Sequence, residues 1–281
     1  MELTRPENQQ PSNGPRTSDS GPRTDPASPR TPDPRLRTHL FLASSNPGKL
    51  REYREAAAAR GVTVEALPRF AEMTVCVEDG ATFEENAHKK AIHYSREAPG
   101  WVFADDSGIC VDALDGAPGV YSARFAGPQA TDEQNNARLL AEIHQVEART
   151  RPGKPEHLDG TTQELTSERE SNLDSPNSLA NLRISNFEFR VSSASGHRAA
   201  HYICVIALAQ AGRVLTVVEG RADGWIIDEP RGSRGFGYDP CFFYPPLGKT
   251  FAEMLPEEKF AVSHRGVAFR RLLDYFLSPG Q

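Results

Sequence analysis

A short apolar run, His39 to Ala43, leads straight into Ser44-Ser45-Asn46-Pro47-Gly48-Lys49 and then into a helical pattern that continues to Arg60 and is closed by Gly61. Strand, polar loop and helix in that order commit the chain to an α/β arrangement, because an apolar strand of this kind must be covered by the helix that follows it. Such a loop turns backbone N–H groups and the positive end of a helix dipole toward an anion, and Lys49 adds a full positive charge. A Walker P-loop is excluded. That motif needs Ser or Thr after Gly-Lys, whereas Leu50 stands there and the upstream glycine is missing. On its own the segment reads equally well as an ordinary capped helix start.

Its companions favour the phosphate reading. The apolar run Trp101 to Ala104 meets Asp105-Asp106-Ser107-Gly108, which reads as a strand ending in a glycine turn with two adjacent carboxylates at its end. Parallel sheets carry ligands at the carboxyl ends of their strands, and carboxylate oxygens suit Mg²⁺, which takes one or two of them together with substrate phosphates. Glu78-Asp79-Gly80-Ala81-Thr82-Phe83-Glu84-Glu85-Asn86 reads as a turn followed by a helix that Thr82 caps, with Glu85 completing a capping box. Glu78 stays outside that helix as a possible metal ligand, while Asn86 and Lys90, four residues apart, share a face.

Two further clusters suit a base. Gly232-Ser233-Arg234-Gly235-Phe236-Gly237-Tyr238-Asp239-Pro240 places an aromatic pair in a glycine-rich loop, either a tight loop with buried rings or a flat slot for stacking a nucleobase. Lys259 and Ser263-His264-Arg265-Gly266 stand at the start of a helical pattern running to about Leu277. A basic first turn opposes the helix dipole, which points to a ligand rather than to helix stability.

Taken together, these segments resemble the inosine triphosphate pyrophosphatases, which remove non-standard purine nucleoside triphosphates such as ITP, dITP and XTP. The resemblance covers roughly residues 38 to 148 and 198 to 277. It rests on Ser44-x-Asn46-x-x-Lys49, the stretch from Glu78 through Thr82, Glu85, Asn86 and Lys90 to Ala91, Ala104-Asp105-Asp106-Ser107-Gly108, Gly116 to Arg124, Gly235 to Pro240, and Ser263 to Gly266. It implies an elongated, two-lobed α/β domain with a mixed central sheet, a cleft between the lobes, and a homodimer. The helix-rich N-terminal part supplies the phosphate loop and carboxylates; strands from Ala200, Val214 to Glu219, Gly224 to Asp228 and Cys241 to Tyr244 supply the base slot.

The implied reaction is Mg²⁺-dependent hydrolysis of a nucleoside triphosphate to the monophosphate and pyrophosphate. Glu78 and Asp106 are the expected metal ligands, Asp106 also the base that acts with Lys49 in catalysis, and Asp105 a residue behind them. Lys49 and Lys90 neutralise phosphate oxygens. Ser44, Ser45, Asn46, Pro47 and Gly48 form the loop that binds them, and Ser107 contacts the nucleotide. The base stacks at Phe236, with Gly237, Tyr238, Asp239, Lys259, His264 and Arg265 closing the slot. Hypoxanthine and xanthine carry a 6-oxo acceptor where adenine carries a 6-amino donor, so donors from His264 or Arg265 reward the former; a site built on such a bond discriminates by about 10⁴. Other base specificities on the same frame, or a catalytically silent interaction module, are the alternatives.

Composition agrees with a cytoplasmic enzyme. The net charge of -6 and pI near 5.8 provide no basic field for gripping nucleic acid, and no apolar run reaches membrane-spanning length. Cys76, Cys110, Cys204 and Cys241 form no C-x-x-C pair, so they are expected reduced rather than zinc-bound. Residues 1–36 hold eight of the 22 prolines and no Val, Ile, Phe, Tyr or Trp, which predicts a disordered tail. A polar insertion is expected at 149–197, between a helix capped by Thr131 and Gln134 and the strand Ala200 to Ala209; it reads as disordered except for Leu179 to Val191. The catalytic domain then spans 37–278 around it.

Overall fold

The computed structural model describes residues 38–150 and 197–278. The tail expected at 1–36 lies outside the described residues. So does the expected insertion, including Leu179 to Val191, apart from Arg149, Thr150 and His197 at its edges.

Seven strands form one mixed sheet: β1 (His39–Leu42), β2 (Thr63–Ala66), β3 (Trp101–Val111), β4 (Ala199–Gln210), β5 (Arg213–Ile226), β6 (Phe242–Tyr244) and β7 (Lys249–Thr250), in the order β2-β1-β3-β4-β5-β6-β7. β1 is parallel to β2 and β3, and every later pair is antiparallel. The helices are α1 (Pro47–Ala58), α2 (Phe83–Ser95), α3 (Asp132–Thr150), α4 (Pro256–Val262) and α5 (His264–Phe276).

Successive residues of a strand point to opposite faces, and two separate cores result. Leu40, Leu42 and Phe103 join Cys204, Ile206 and Leu208 against Tyr53 of α1 and Phe269, Leu272 and Leu273 of α5. Phe41, Val102 and Ala104 join Val205, Ala207 and Ala209 against Phe83, Ala87, Ala91 and Tyr94 of α2. A third core sits under α3, where Leu139 and Ile143 meet Ile109, Val111, Tyr202 and Phe242.

Three expected boundaries are corrected. β3 does not stop at Ala104: Asp105, Asp106, Ser107 and Gly108 remain extended and pair with Ile206, Val205, Cys204 and Ile203 of β4. Gly108 is there for close approach rather than for a turn, since a Cβ on it would collide with the Gly119 carbonyl and the Ser122 hydroxyl. What ends here is β1, which pairs with β3 only as far as Phe103. The carboxylates therefore do lie beyond the carboxyl end of a parallel strand, but the strand is β1. Second, the strands expected at Val214 to Glu219 and Gly224 to Asp228 are one strand, β5, which ends at Ile226 and has Gly220 inside it opposite Cys204. Third, the helix expected from Lys259 to Leu277 is two helices. Ser263 is extended, its amide N–H closes α4 on the Lys259 carbonyl (2.8 Å), and its hydroxyl accepts from Gly266 N (3.2 Å) to cap α5.

The caps come out as anticipated. Thr82 Oγ1 accepts from Glu85 N (3.1 Å), although Glu85 reaches back to Ala81 N rather than to Thr82. Thr131 and Gln134 form the reciprocal box at the start of α3.

Candidate active site

A cleft of about 650 Å³ opens beyond the end of β1, and every residue anticipated for the site lines it except Pro47 and Gly48. Those two form the first turn of α1 directly behind the wall. Asn46 caps that helix: its Oδ1 accepts from Gly48 N (2.8 Å) and Lys49 N (3.1 Å), while Ser44 Oγ accepts from Asn46 N (3.2 Å). Two of the N–H groups expected to face an anion are thus already engaged, which leaves charge delivery mainly to Lys49.

Strand alternation sends the two aspartates apart. Asp105 shares a face with Phe103 and points toward α1 and α5; Asp106 shares a face with Ala104 and points toward α2. Asp105, 3% exposed, forms an ion pair with Lys49 Nζ (2.8 Å) and accepts from Ser107 Oγ (2.8 Å). Burial alone would raise its pKa. The charges of Lys49, Arg265 and Lys90 outweigh that and hold it well below the usual carboxylate range.

Asp106 sits among groups carried by α2 and the loop before it. Its Oδ1 lies 3.2 Å from Lys90 Nζ and its Oδ2 accepts from Asn86 Nδ2 (3.1 Å), while Glu78 Oε2 lies 2.8 Å from the same Lys90 Nζ. Burial is the largest influence and pushes the Asp106 carboxyl above its ordinary value despite Lys90 and Asn86; the Glu78 charge adds to the rise. For Lys90, burial works against the ammonium, but Asp106 and Glu78 prevail and its pKa is raised. The loop holding Glu78 is tied to α2 by Tyr94 Oη to Cys76 N (3.1 Å), His93 to the Thr74 carbonyl (2.7 Å) and Lys89 to Asp79 (2.6 Å).

The other end of the cleft is aromatic and cationic. The ring of Phe236 has Lys259 Nζ 4.9 Å and Arg265 Cζ 5.0 Å from its centroid. The ring also approaches α1, where a Cβ on Gly48 would stand 3.3 Å from ring atoms. Asp239 Oδ2 accepts from Phe236 N (2.9 Å) and pairs with Lys259 (2.6 Å). Tyr238 is buried, and its hydroxyl donates to the Ser122 carbonyl (2.8 Å), so of the aromatic pair only Phe236 is placed as a platform. His264 stacks on Tyr202, with ring centroids 4.4 Å apart and planes 5° from parallel. Burial first, then Arg265, Lys259 and Lys49, drives its pKa well below the ordinary histidine value, so the ring is neutral. His264 Nδ1 and Arg265 Nε are buried without a hydrogen-bond partner among the described residues.

A model of the Ham1 family matches residues 40–152 and 171–275, leaving 153–170 unmatched between the two segments. The chain belongs to the Ham1 family. It is 39% identical over 233 residues to a dITP/XTP pyrophosphatase of Geobacillus kaustophilus, covering 83% of this chain and 91% of that protein. With a dITP/XTP pyrophosphatase of Geobacter sulfurreducens it shares 38% identity, covering 85% and 96%. Among solved structures, a HAM1 protein from Coxiella burnetii superposes with a TM-score of 0.59 at 32% identity, covering 83% of this chain and 95% of that one. A nucleoside-triphosphatase and dITP/XTP pyrophosphatase from Mycobacterium abscessus gives a TM-score of 0.53 at 33% identity, covering 84% and 98%.

Sequence reasoning missed Glu52. It lies on α1 three residues after Lys49, which is the one sequence clue to its facing the site. Its Oε2 pairs with Arg265 (2.8 Å) and its Oε1 with Lys259 (3.3 Å). The cations expected to face a ligand are therefore also counter-ions to a buried carboxylate. Ser122, within the Gly116 to Arg124 motif, has no role that its residue type suggests. It acts through its backbone carbonyl and through a hydroxyl that accepts from Ile109 N (2.9 Å), neither of which residue type alone reveals.

Proposed function

We propose that this Ham1-family protein is an enzyme that hydrolyses ITP, dITP and XTP to the monophosphate and pyrophosphate. The observation that carries the reading is a single cleft with two chemically different ends: Asp106, Glu78 and Lys90 at one, and Phe236 beside Lys259 and Arg265 at the other. A triphosphate needs the first and a flat base the second. The names of the relatives supply the substrate class.

Glu78 and Asp106 fit Mg²⁺. Their oxygens converge on one cationic point, Lys90 Nζ, at 2.8 and 3.2 Å, so two carboxylates already share a place suited to positive charge. Mg²⁺ takes one or two carboxylates together with phosphate oxygens and water; among the described residues no group of three or more His, Cys, Asp or Glu side chains could hold a metal. Bound there, the metal would neutralise charge on the phosphate oxygens. Asp106, its carboxyl already shifted upward by burial, takes the proton from the water that attacks the α-phosphorus. The bond from that phosphorus to the bridging oxygen breaks, and pyrophosphate leaves. Lys90 and Lys49 stabilise the charge that grows on the phosphates. Asp105 keeps Lys49 extended into the cleft, and Ser107 is held on Asp105. At the other end, Phe236 stacks on the base while His264 and Arg265 donate to the 6-oxo oxygen.

Pyrophosphate release from ITP, dITP, XTP, dGTP and dATP, with and without Mg²⁺, tests the reading. The first three should be cleaved in the presence of Mg²⁺ and all five spared without it. Equal rates on all five would leave the catalytic frame standing but remove the purine selectivity.

The two ends should also fail differently. Arg265→Ala removes a contact that ITP can make and ATP cannot, so the ITP/ATP ratio of kcat/KM narrows by about tenfold. Lys49→Ala slows both alike and leaves the ratio intact. An unchanged ratio in Arg265→Ala would place base reading elsewhere.

The same proposal includes a homodimer, a cytoplasmic location and a catalytic domain of 37–278 in which the tail and the 149–197 insertion take no part. The family resemblance supports the first. No helix among the described residues is long and apolar enough to cross a membrane.

A further inference from the structure

Gly237 stands between the stacking ring of Phe236 and the buried Tyr238, with a φ of +63° that favours glycine. Both its backbone polar groups are taken by α3. Its N–H donates to Asp132 Oδ2 (2.6 Å), and its carbonyl accepts from Asn136 Nδ2 (2.9 Å). The two side chains are one helical turn apart, and Asn136 Nδ2 also donates to the Asp132 carbonyl (2.8 Å), so they grip the peptide as a unit. Further along α3, His144 lies 2.7 Å from Asp228, at the start of the same connection between β5 and β6, and Glu147 reaches Asp228 through Arg198. The segment that presents Phe236 is thus fastened to α3 near both its ends.

We propose that Asp132 and Asn136 are positioning residues for base recognition, holding the Gly237 peptide so that Phe236 is fixed against Lys259 and Arg265. The proposal rests on the reading that Phe236 stacks on the base. It also has a consequence for specificity: the N–H of Gly237 is engaged by Asp132 and so does not donate to a 6-oxo oxygen. Asp132 itself lines the cleft, but its carboxylate is directed to the Gly237 amide and not to a phosphate.

The test is steady-state kinetics on the full chain at fixed Mg²⁺ for the wild type, Asp132→Ala, Asp132→Asn, Asn136→Ala, Phe236→Ala and the double variant Asp132→Ala/Phe236→Ala, with melting temperatures and inhibition by inorganic pyrophosphate. Asp132→Ala and Asn136→Ala should each raise KM for ITP about tenfold while kcat stays within about twofold. Asp132→Asn, which keeps an acceptor, should restore KM in large part. Inhibition by pyrophosphate, which has no base, should not change. In the Phe236→Ala background, Asp132→Ala should add less than about a twofold change, because residues acting through one another are not additive. An unchanged KM in both single variants, or a full tenfold effect of Asp132→Ala on top of Phe236→Ala, overturns the inference. If Phe236→Ala itself leaves KM for ITP unchanged, the stacking reading fails first and takes this inference with it.

Discussion

Asp106→Asn should lower turnover of ITP by about 10³-fold, the middle of the range for removing a general base. The amide preserves the volume of the side chain and can still accept from Asn86, and Lys90 keeps its 2.8 Å contact with Glu78, so the fold has little reason to respond. What disappears is the negative charge and the capacity to accept a proton from water. Burial raises the Asp106 pKa in the metal-free site, whereas a cation held by the same carboxylate acts in the opposite sense. Glu78→Gln should weaken the response to Mg²⁺ while leaving the base in place, since Glu78 contributes an oxygen but no proton transfer. Near wild-type turnover in Asp106→Asn, with an unchanged melting temperature, would remove Asp106 from the chemistry.

The different fates of Asp105 and Asp106 show which parts of this molecule can be read from sequence. Two adjacent carboxylates after an apolar run suggest a shared cation site only if the strand stops. The strand continues because Gly108 admits the turn at Gly119 to Ser122 against β3, a contact set by distant chain that no local pattern reports. Once β3 runs on, its period of two places Asp105 under Lys49 and Asp106 under Lys90. The caps at Thr82, Thr131 and Asn46 are local in sequence, and the first two are legible for that reason; at Asn46 a phosphate loop and a capping loop share the same composition, so the sequence leaves both readings open and the closed fold shows the cap. The motif residues of the cleft were legible as a set, since their order along the chain resembles a known family. Glu52 was not, because its partners are 207 and 213 residues away and only the closed fold brings α4 and α5 onto α1.

Glu52 is also the position where a stability loss should be largest. Arg265, 3% exposed, has Glu52 as its only ion-pair partner among the described residues, whereas Lys259 also holds Asp239. Glu52→Ala strands a buried guanidinium. Removing one member of a buried pair costs about 3–5 kcal/mol, because the remaining charge stays desolvated without compensation. Glu52→Gln keeps an acceptor oxygen for one of the two cations and should cost less than Glu52→Ala, about 1–3 kcal/mol. The pH dependence fixes the sign. Burial pushes the Glu52 pKa up, but Arg265 and Lys259 outweigh it, so the folded value is below the ordinary 4.5. A carboxylate lowered on folding contributes stability that is present above its unfolded pKa and is lost as pH falls through the folded value. Denaturation of Glu52→Gln should therefore show a shallower loss of stability below about pH 4.5 than the wild type, alongside its lower plateau at neutral pH. A loss under about 1 kcal/mol in Glu52→Ala would mean that Arg265 reaches solvent or another carboxylate when Glu52 is gone. In that case the guanidinium is free to move, and the base slot cannot owe its shape to this ion pair.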